Sequence, residues 1–289
     1  FELCDRVSVL RDGALVGTRR VADTNEADLI ALMINRKIEQ IYYKETVAGG
    51  ATILETEALT GPGFHDISIG VREGEVVGLY GLVGAGRSEF VQSLFGRHPA
   101  TGGRILWQGR AVAIKNERRA MALGIALAPE SRRDQGLCLS LGVDLNLNLA
   151  IFKRLSMGPL INLGREAASA EKEIRDVQIK TASRAAPVTS LSGGNQQKVV
   201  IGKWLNHGAK LFVFDEPTVG VDVGTKAEIY RLLATLLKQG AGIIMISSYL
   251  PEVYELADTL HVFRGGAIVA SHGHKDATHE TILTEAIGV

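Results

Sequence analysis

The stretch Val76-Val-Gly-Leu-Tyr-Gly-Leu-Val-Gly-Ala-Gly-Arg-Ser88 decides the fold of this chain. Its apolar run, Val76–Tyr80, predicts a buried strand. Glycines recur through the next six residues, and an amphipathic helix pattern then runs from Ser88 to a stop at Gly96. A strand, a glycine-rich loop and a helix in this order predict a loop that binds nucleotide phosphates.

The loop itself predicts an anion site, because glycines let backbone N–H groups turn inward and the helix N-terminus adds its dipole. Ser88 would be a ligand of Mg²⁺. Arg87 stands where the motif has lysine, and its planar, longer side chain fits the compact ammonium site poorly. We therefore expect nucleotide binding but inefficient hydrolysis; taken alone, a glycine-rich turn without a ligand is the alternative. The residues expected to contact nucleotide here are Gly81, Leu82, Val83, Gly84, Ala85, Gly86, Arg87, Ser88 and Glu89.

Three further apolar runs resemble the strand before the loop, and helical stretches separate them. Nearly continuous apolar runs are typical of parallel strands that are covered on both faces, so the class is α/β. The chain closes on two short runs joined by Arg264-Gly-Gly266, which predict a β-hairpin. The runs are Gly124–Ala128, Leu211–Phe214 and Ile243–Ile246, and the hairpin runs are Leu260–Phe263 and Ala267–Val269.

About a hundred residues after the loop stands Leu191-Ser-Gly-Gly-Asn-Gln-Gln-Lys198, at the start of an amphipathic helix that stops at Gly208. Ser192, Gly193 and Gly194 place a hydroxyl and free N–H groups at a helix start, which predicts a second anion site. A simple N-cap by Ser192 is the alternative. That alternative leaves the two glycines and the two glutamines unexplained.

Two carboxylates, Asp215 and Glu216, follow the apolar run Leu211–Phe214. In open α/β sheets, ligands bind at the carboxyl ends of the strands. Asp215 suits a Mg²⁺ site and Glu216 suits the polarisation of an attacking water, as phosphoryl transfer requires. Adjacent acids at a strand end are otherwise solvated surface groups.

Bulk properties exclude some classes of protein. The chain has 32 basic and 32 acidic residues, so no net positive field favours nucleic acid as a partner. Its two cysteines, Cys4 and Cys138, have no metal-ligand spacing and suit a reducing compartment. No apolar run reaches about 18 residues and no signal segment is present, so we expect any membrane role to depend on a partner.

The opening stretch, Phe1–Val16, aligns without gaps on Tyr254–Val269, with eight of sixteen positions identical. Two amphipathic stretches, Leu29–Ile34 and Ile282–Ile287, share the same offset. Chance likeness of two short hairpins is the alternative to duplication. We expect residues 1–47 to be the remnant of a first domain and residues 48–289 to form a second one, with Glu39–Gly50 as the linker.

Together these motifs resemble the ATP-binding subunits of ABC transporters, which carry a phosphate loop, a Leu-Ser-Gly-Gly signature and a strand ending in Asp-Glu. The form Leu191–Lys198, the stretch Gly220-Val-Asp-Val-Gly224 and the duplication resemble the tandem importers of monosaccharides such as ribose, galactose and xylose. The resemblance implies a mostly parallel core sheet, an antiparallel β subdomain and a helical signature subdomain. It also implies a transport-coupled ATPase with ATP and Mg²⁺ as cofactors, with nucleotide contacts by Ser192, Gly193, Gly194 and Gln196.

Three departures from the family pattern fall in the expected catalytic pocket. Arg87 replaces the lysine of the phosphate loop. Glu130 stands where the resemblance places a glutamine near Mg²⁺ and the permease. Ser248 stands where the resemblance places a catalytic histidine, called the switch histidine, and a serine lacks its imidazole. We therefore expect Glu216, Ser248 and Glu130 to form a degenerate catalytic set, with Ser88, Asp215 and Glu130 around the metal. For Phe64, the one aromatic residue shortly before the strand, adenine stacking and a core role are both open.

The resemblance also implies partners. Two halves of the full chain would pair head to tail, with this signature completing the other half's site, at the cytoplasmic face of the bacterial inner membrane. Permease subunits would bind the assembly and a sugar-binding protein would act through them. We expect Glu130 and Ser131–Asp134 to contact the permease. A nucleotide-binding regulatory module without turnover is the alternative function, and an ABC ATPase acting on ribosomes or DNA is disfavoured by the neutral charge.

Overall fold

The computed structural model describes residues 1, 3–11, 14–25, 28–29, 31–32, 42–44, 49–158 and 160–288. A six-stranded sheet forms the centre, and its strands are parallel except at the pair made by the last two strands in sequence. All the central strands predicted from apolar runs lie in this sheet and are buried. In spatial order the strands are β15 (Ala267–Gly273), β14 (Thr259–Arg264), β6 (Val76–Gly81), β13 (Gly242–Ile246), β12 (Leu211–Asp215) and β9 (Ile125–Ala128).

A second sheet is antiparallel and shares the main apolar core with the first. Ile53 and Leu54 of its long strand are almost fully buried in that core. The strands in spatial order are β4 (Phe64–Ile67), β3 (Thr52–Gly61), β7 (Gly102–Trp107) and β8 (Arg110–Val112), and β5 (Gly70–Arg72) also pairs with β3.

Among the described residues, a first set of helices packs on the two sheets, and a second set has its own apolar cluster, which includes Leu147 and Val199. One helix of the second set, Gly193–His207, also packs on the central sheet. The first set is α1 (Arg87–Leu94), α2 (Glu117–Leu123), α7 (Val223–Lys238), α8 (Leu250–Leu256) and α9 (His279–Ile287). The second set is α3 (Val143–Asn148), α4 (Phe152–Leu155), α5 (Leu163–Asp176) and α6 (Gly193–His207), with the short strands β10 (Ser156–Met157) and β11 (Leu160–Ile161) between α4 and α5. The expected architecture, with a mostly parallel sheet, an antiparallel β subdomain and a helical subdomain, is confirmed.

The hairpin near the start of the chain repeats the hairpin near its end. Strands β1 (Arg6–Arg11) and β2 (Ala14–Arg20) form a two-stranded sheet whose bounds match β14 and β15 at a constant offset of 253 residues, 259 minus 6. Both hairpins have a register irregularity at the equivalent step. Parts of the aligned stretch Leu29–Ile34 and most of the expected linker lie outside the described residues.

In the ranges that the structure describes, no helix combines the length and the apolar character needed to cross a membrane.

Candidate functional site

The glycine-rich loop after β6 is held between two other turns. Gly86 has φ of +96°, and a Cβ there would lie 2.6 Å from the carbonyl oxygen of Gly63 and 2.9 Å from Cα of Gly266. The N–H of Gly266 donates to the carbonyl of Ala85 at 3.0 Å. Only glycine combines this left-handed conformation with so close a backbone approach. The turn that precedes α1 is therefore shaped by contacts from both sheets.

The side chain of Arg87 lies inside the site, with 7% of its surface exposed. Its Nη1 donates to the carbonyl of Ser247 at 3.2 Å, and Nη2 donates to the carbonyl of Leu82 at 3.3 Å. Burial lowers the pKa of Arg87, while the carboxylates of Glu216 and Asp215 oppose that shift. The guanidinium thus connects the glycine-rich loop to the end of β13.

Ser88 and Asp215, two of the three expected metal ligands, come from separate motifs and are neighbours in the structure. The hydroxyl of Ser88 donates to Oδ1 of Asp215 at 3.2 Å. Burial raises the pKa of Asp215 to about 7, and the negative charges of Glu130 and Glu216 add to the shift. Hydroxyl and carboxylate oxygens are the donors that Mg²⁺ prefers, and a divalent cation would offset the repulsion among these acids. The residues present fit a magnesium site.

Glu216 adopts a strained backbone conformation beside Asp215. Its φ is +51°, which costs a non-glycine residue about 1–3 kcal/mol. Two contacts hold it: its N–H donates to the carbonyl of Ile246 at 3.0 Å, and its Oε1 accepts from the N–H of Ser248 at 2.6 Å. Burial raises the pKa of Glu216, and the hydrogen bonds from Ser248 oppose the rise. Ser248 therefore lies in the expected site, where its backbone N–H positions the Glu216 carboxylate.

One buried acid that the sequence analysis did not single out, Glu252, lies next to the segments that carry Glu216 and Ser248. Glu252 is 1% exposed and accepts hydrogen bonds from the hydroxyls of Thr218, Tyr230 and Ser247. Thr218 follows Glu216 by two residues and Ser247 precedes Ser248. Glu252 thus connects the segments on both sides of the Glu216 carboxylate. No local pattern in the sequence marked Glu252, because Thr218 and Tyr230 belong to other segments of the chain.

The signature segment, Leu191–Lys198, starts helix α6 as expected. Ser192 is the N-cap, and its Oγ accepts from the N–H of Asn195. A Cβ at Gly193 would meet Arg132 and Gly220, and one at Gly194 would lie 2.5 Å from Thr225. None of these neighbours belongs to the glycine-rich loop, so the first turn of α6 packs against other segments of the chain.

Side-chain positions correct the expectation for Gln196 and decide between the two roles that were open for Phe64. Gln196 is 1% exposed, and its Nε2 donates to the carbonyl of Val188 at 3.2 Å, so it supports the turn before α6 and does not face outward to a ligand. Phe64 is buried and packs edge-on against Phe90, with ring centroids 5.5 Å apart. Of the two roles open for Phe64, the structure supports the one in the core.

The segment expected to face a permease divides into inward and outward side chains. Glu130, Arg133 and Asp134 are exposed. Arg132 turns inward, where its Nη1 donates to the carbonyl of Val219 at 2.8 Å. Arg132 is half-buried, whereas Arg133 is exposed, and the contact of this segment with a permease stays a prediction.

In chemical terms, one site brings together a glycine-rich loop, a guanidinium, a hydroxyl and a carboxylate that could hold a divalent cation, and a second, positioned carboxylate. Phosphoryl transfer needs these parts: a cradle for phosphates, a cation to neutralise charge, and a group that orients the nucleophile. The exposed Ser192 and the first turn of α6 could bind a second anion outside this site.

Comparisons with known proteins show the family of this chain. The family model for the ABC transporter matches residues 64–219. A ribose import ATP-binding protein RbsA from Geobacillus kaustophilus (strain HTA426) is 43% identical over the whole chain, and one from Streptomyces avermitilis is 44% identical over 99% of it. The chain spans 58% and 55% of these two relatives.

Solved structures show the same fold. A nucleotide-free ATP-binding cassette from an ABC transporter aligns with a TM-score of 0.66 over 82% of this chain and 96% of that one, at 22% identity. A second ATP-binding cassette, in its ADP conformation, aligns with a TM-score of 0.65 over 82% of this chain and 95% of that one, at 23% identity.

Proposed function

The chain belongs to the ABC transporter family of ATPases. We propose that it binds ATP with Mg²⁺ and couples ATP binding and hydrolysis to the import of a monosaccharide. The pocket that joins the phosphate loop to Asp215 and Glu216 supports nucleotide binding. The ribose import proteins that match the whole chain support a sugar as cargo. Ser88 and Asp215 would hold the metal, with Glu130 at its edge, and the metal would neutralise charge on the phosphates.

We propose that residues 1–47 are the closing part of one nucleotide-binding domain and residues 48–289 a second domain. The matching bounds and register of the two hairpins support this division. So does an equivalent cross-strand contact: Ser8 pairs with Thr18 by their hydroxyls at 2.9 Å, and His261 pairs with Ser271 at 2.7 Å.

The observation that carries the mechanism is the position of Arg87. Its guanidinium donates to two backbone carbonyls in the place where a compact ammonium would face phosphates. With serine in place of the switch histidine, this pocket lacks two of the usual catalytic groups. We propose that it binds nucleotide but turns it over poorly, and that the signature at Ser192–Gly194 completes the working site of the other half.

The same observation favours a second candidate, a nucleotide-binding module without turnover. Steady ATP hydrolysis by the purified chain, abolished in Glu216→Gln, would exclude it.

The proposed partners are the other nucleotide-binding half, membrane permease subunits and, through them, a sugar-binding protein, at the cytoplasmic face of the bacterial inner membrane. The exposed Glu130, Arg133 and Asp134 support a permease contact at this segment. The balance of 32 basic and 32 acidic residues gives no support to nucleic acid as a partner.

Two variants of the full tandem protein, assembled with its permease, test this proposal. Ser192→Arg places a cation where the opposite phosphates would dock, and we expect sugar-stimulated ATPase to fall by about 10²–10³. Glu216→Gln removes a carboxylate from a pocket that already lacks two groups, so we expect a loss far smaller than the roughly 10²–10⁴ of a working general base. Both variants are measured side by side with the unaltered protein. A loss in Glu216→Gln equal to that in Ser192→Arg would show that this pocket is catalytically competent.

A further inference from the structure

The start of the signature helix is in contact with a side chain from another motif. A Cβ at Gly193 would lie 2.7 Å from Nη2 of Arg132 and 2.9 Å from the carbonyl oxygen of Gly220. Three segments that are far apart in sequence therefore meet at the first turn of α6. The small size of Gly193 is what allows the guanidinium and this carbonyl to approach the helix so closely.

The guanidinium of Arg132 spans the loop of residues 217–222 that follows the two carboxylates. Nη1 donates to the carbonyl of Val219 at 2.8 Å, and Nη2 lies 3.4 Å from the carbonyl oxygen of Gly220. A planar guanidinium can serve two successive carbonyls at once, which a lysine ammonium cannot do in the same geometry. Burial lowers the pKa of Arg132, and the like charge of Arg133 adds to this shift.

The backbone that carries Arg132 is itself anchored along α6. Nζ of Lys203 donates to the carbonyl of Gly136 at 2.8 Å. A Cβ at Gly136 would lie 3.0 Å from Cγ2 of Val200, so this turn rests directly on the helix. Arg132 thus extends from a support on the middle of α6 to the loop beside the helix start.

We propose that Arg132 is a positioning residue: it holds the loop of residues 217–222 against Gly193, so that the signature reaches the opposite nucleotide as a rigid unit. This inference rests on the proposed function, in which Ser192–Gly194 completes the other half's site. Donors that stabilise a transition state act by being preorganised. Removal of Arg132 leaves every signature donor present but lets the helix start and the loop move independently.

The test uses the full tandem protein with its permease and compares Arg132→Ala with Arg154→Ala. Arg154 is a matched control, because its Nη2 also donates to two successive carbonyls, those of Asn206 and His207, at the other end of α6. We expect Arg132→Ala to lower kcat for sugar-stimulated ATPase by about tenfold or more, since small misplacements of binding groups have effects of this size. We expect KM for ATP to stay within about twofold, because the phosphate loop that binds that ATP is unchanged. Arg154→Ala should keep kcat within about twofold, although both variants lose a similar contact.

Ser192→Arg, measured in parallel, separates the failure of this inference from the failure of the proposed function. If Ser192→Arg abolishes ATPase while Arg132→Ala leaves kcat unchanged, the role of Arg132 is wrong and the proposed function stands. An equal drop of kcat in Arg132→Ala and Arg154→Ala also overturns it, because general loosening of α6 would then explain both. If Ser192→Arg has no effect, the signature does not serve a working site and both proposals fall.

Discussion

At the phosphate loop, the guanidinium of Arg87 is held by two carbonyls, those of Leu82 and Ser247. A bound phosphate would have to share the remaining N–H donors or draw the group away from these partners. Lysine has a compact ammonium on a flexible stem and matches neither carbonyl geometry. The charge at position 87 is therefore present, but part of its hydrogen-bonding capacity is already used by the protein.

We expect Arg87→Lys to bind ATP with Mg²⁺ about tenfold more tightly than the unaltered chain, which should have a Kd above about 1 µM. Isothermal titration of the purified chain measures both values. Arg97→Lys is the control, since Arg97 donates to the exposed Gln135 side chain and should leave Kd unchanged. Sub-micromolar binding by the unaltered chain, or no tightening in Arg87→Lys, would contradict this view of the residue.

Among the elements, those with a local signal were predictable from sequence. The apolar run Val76–Tyr80 forms β6, and the glycine-rich loop after it leads into α1. These elements were predictable because their signals, an apolar run and the glycines after it, lie within one short stretch of sequence. The inward turn of Arg132 and the buried position of Glu252 could not be predicted. Arg132 depends on the carbonyl of Val219, 87 residues away, and Glu252 depends on Thr218 and Tyr230, which are 34 and 22 residues away. The adjacent arginines Arg132 and Arg133 look alike in sequence and differ only in what the fold packs against them.

The strand pair β14–β15 contains a buried histidine that should make stability depend on pH. Burial lowers the pKa of His261 to about 4, whereas an unfolded histidine titrates near 6.5. Above about pH 6.5 the imidazole is neutral in both states, so it adds no pH dependence there. Between about pH 6.5 and 4 only the unfolded chain gains the proton, so the free energy of unfolding falls as pH is lowered, by about 2 kcal/mol at pH 5.

The test replaces this histidine by the residue that the first hairpin has at the same place. His261→Ser matches Ser8, whose hydroxyl bonds across the strands to Thr18. Urea unfolding at pH 7.5 and pH 5 should show a smaller difference between the two pH values in His261→Ser, by about 2 kcal/mol. The same pH difference in both proteins would show that His261 does not titrate in this way.

At the scale of the whole molecule, described residues of the expected linker contact the proposed second domain. Nζ of Lys44 lies 2.8 Å from Oδ1 of Asp258, donates to the carbonyl of Ala257 at 2.8 Å, and lies 3.1 Å from Nδ1 of His274. Two residues earlier, the ring of Tyr42 stacks on Tyr230 with centroids 5.5 Å apart. Tyr230 also donates to Glu252, so these contacts reach the acid that connects Thr218 with Ser247. The chain between the two proposed domains is thereby attached close to the proposed nucleotide site.

This attachment predicts that Lys44 contributes more to stability than an ordinary surface ion pair. The Lys44 side chain is 15% exposed, whereas Lys275, which pairs with Glu255 at the same N–O distance of 2.8 Å, is 45% exposed. Lys44→Met keeps the apolar stem but leaves the Asp258 carboxylate and the Ala257 carbonyl without this cation, so we expect the free energy of unfolding to fall by about 1.5 kcal/mol. Lys275→Met breaks a pair that water screens, and its effect should stay within about 0.5 kcal/mol. Urea unfolding with an unchanged m-value measures both. Equal losses in the two variants would mean that Lys44 is only another surface cation and that the linker is not held at this point.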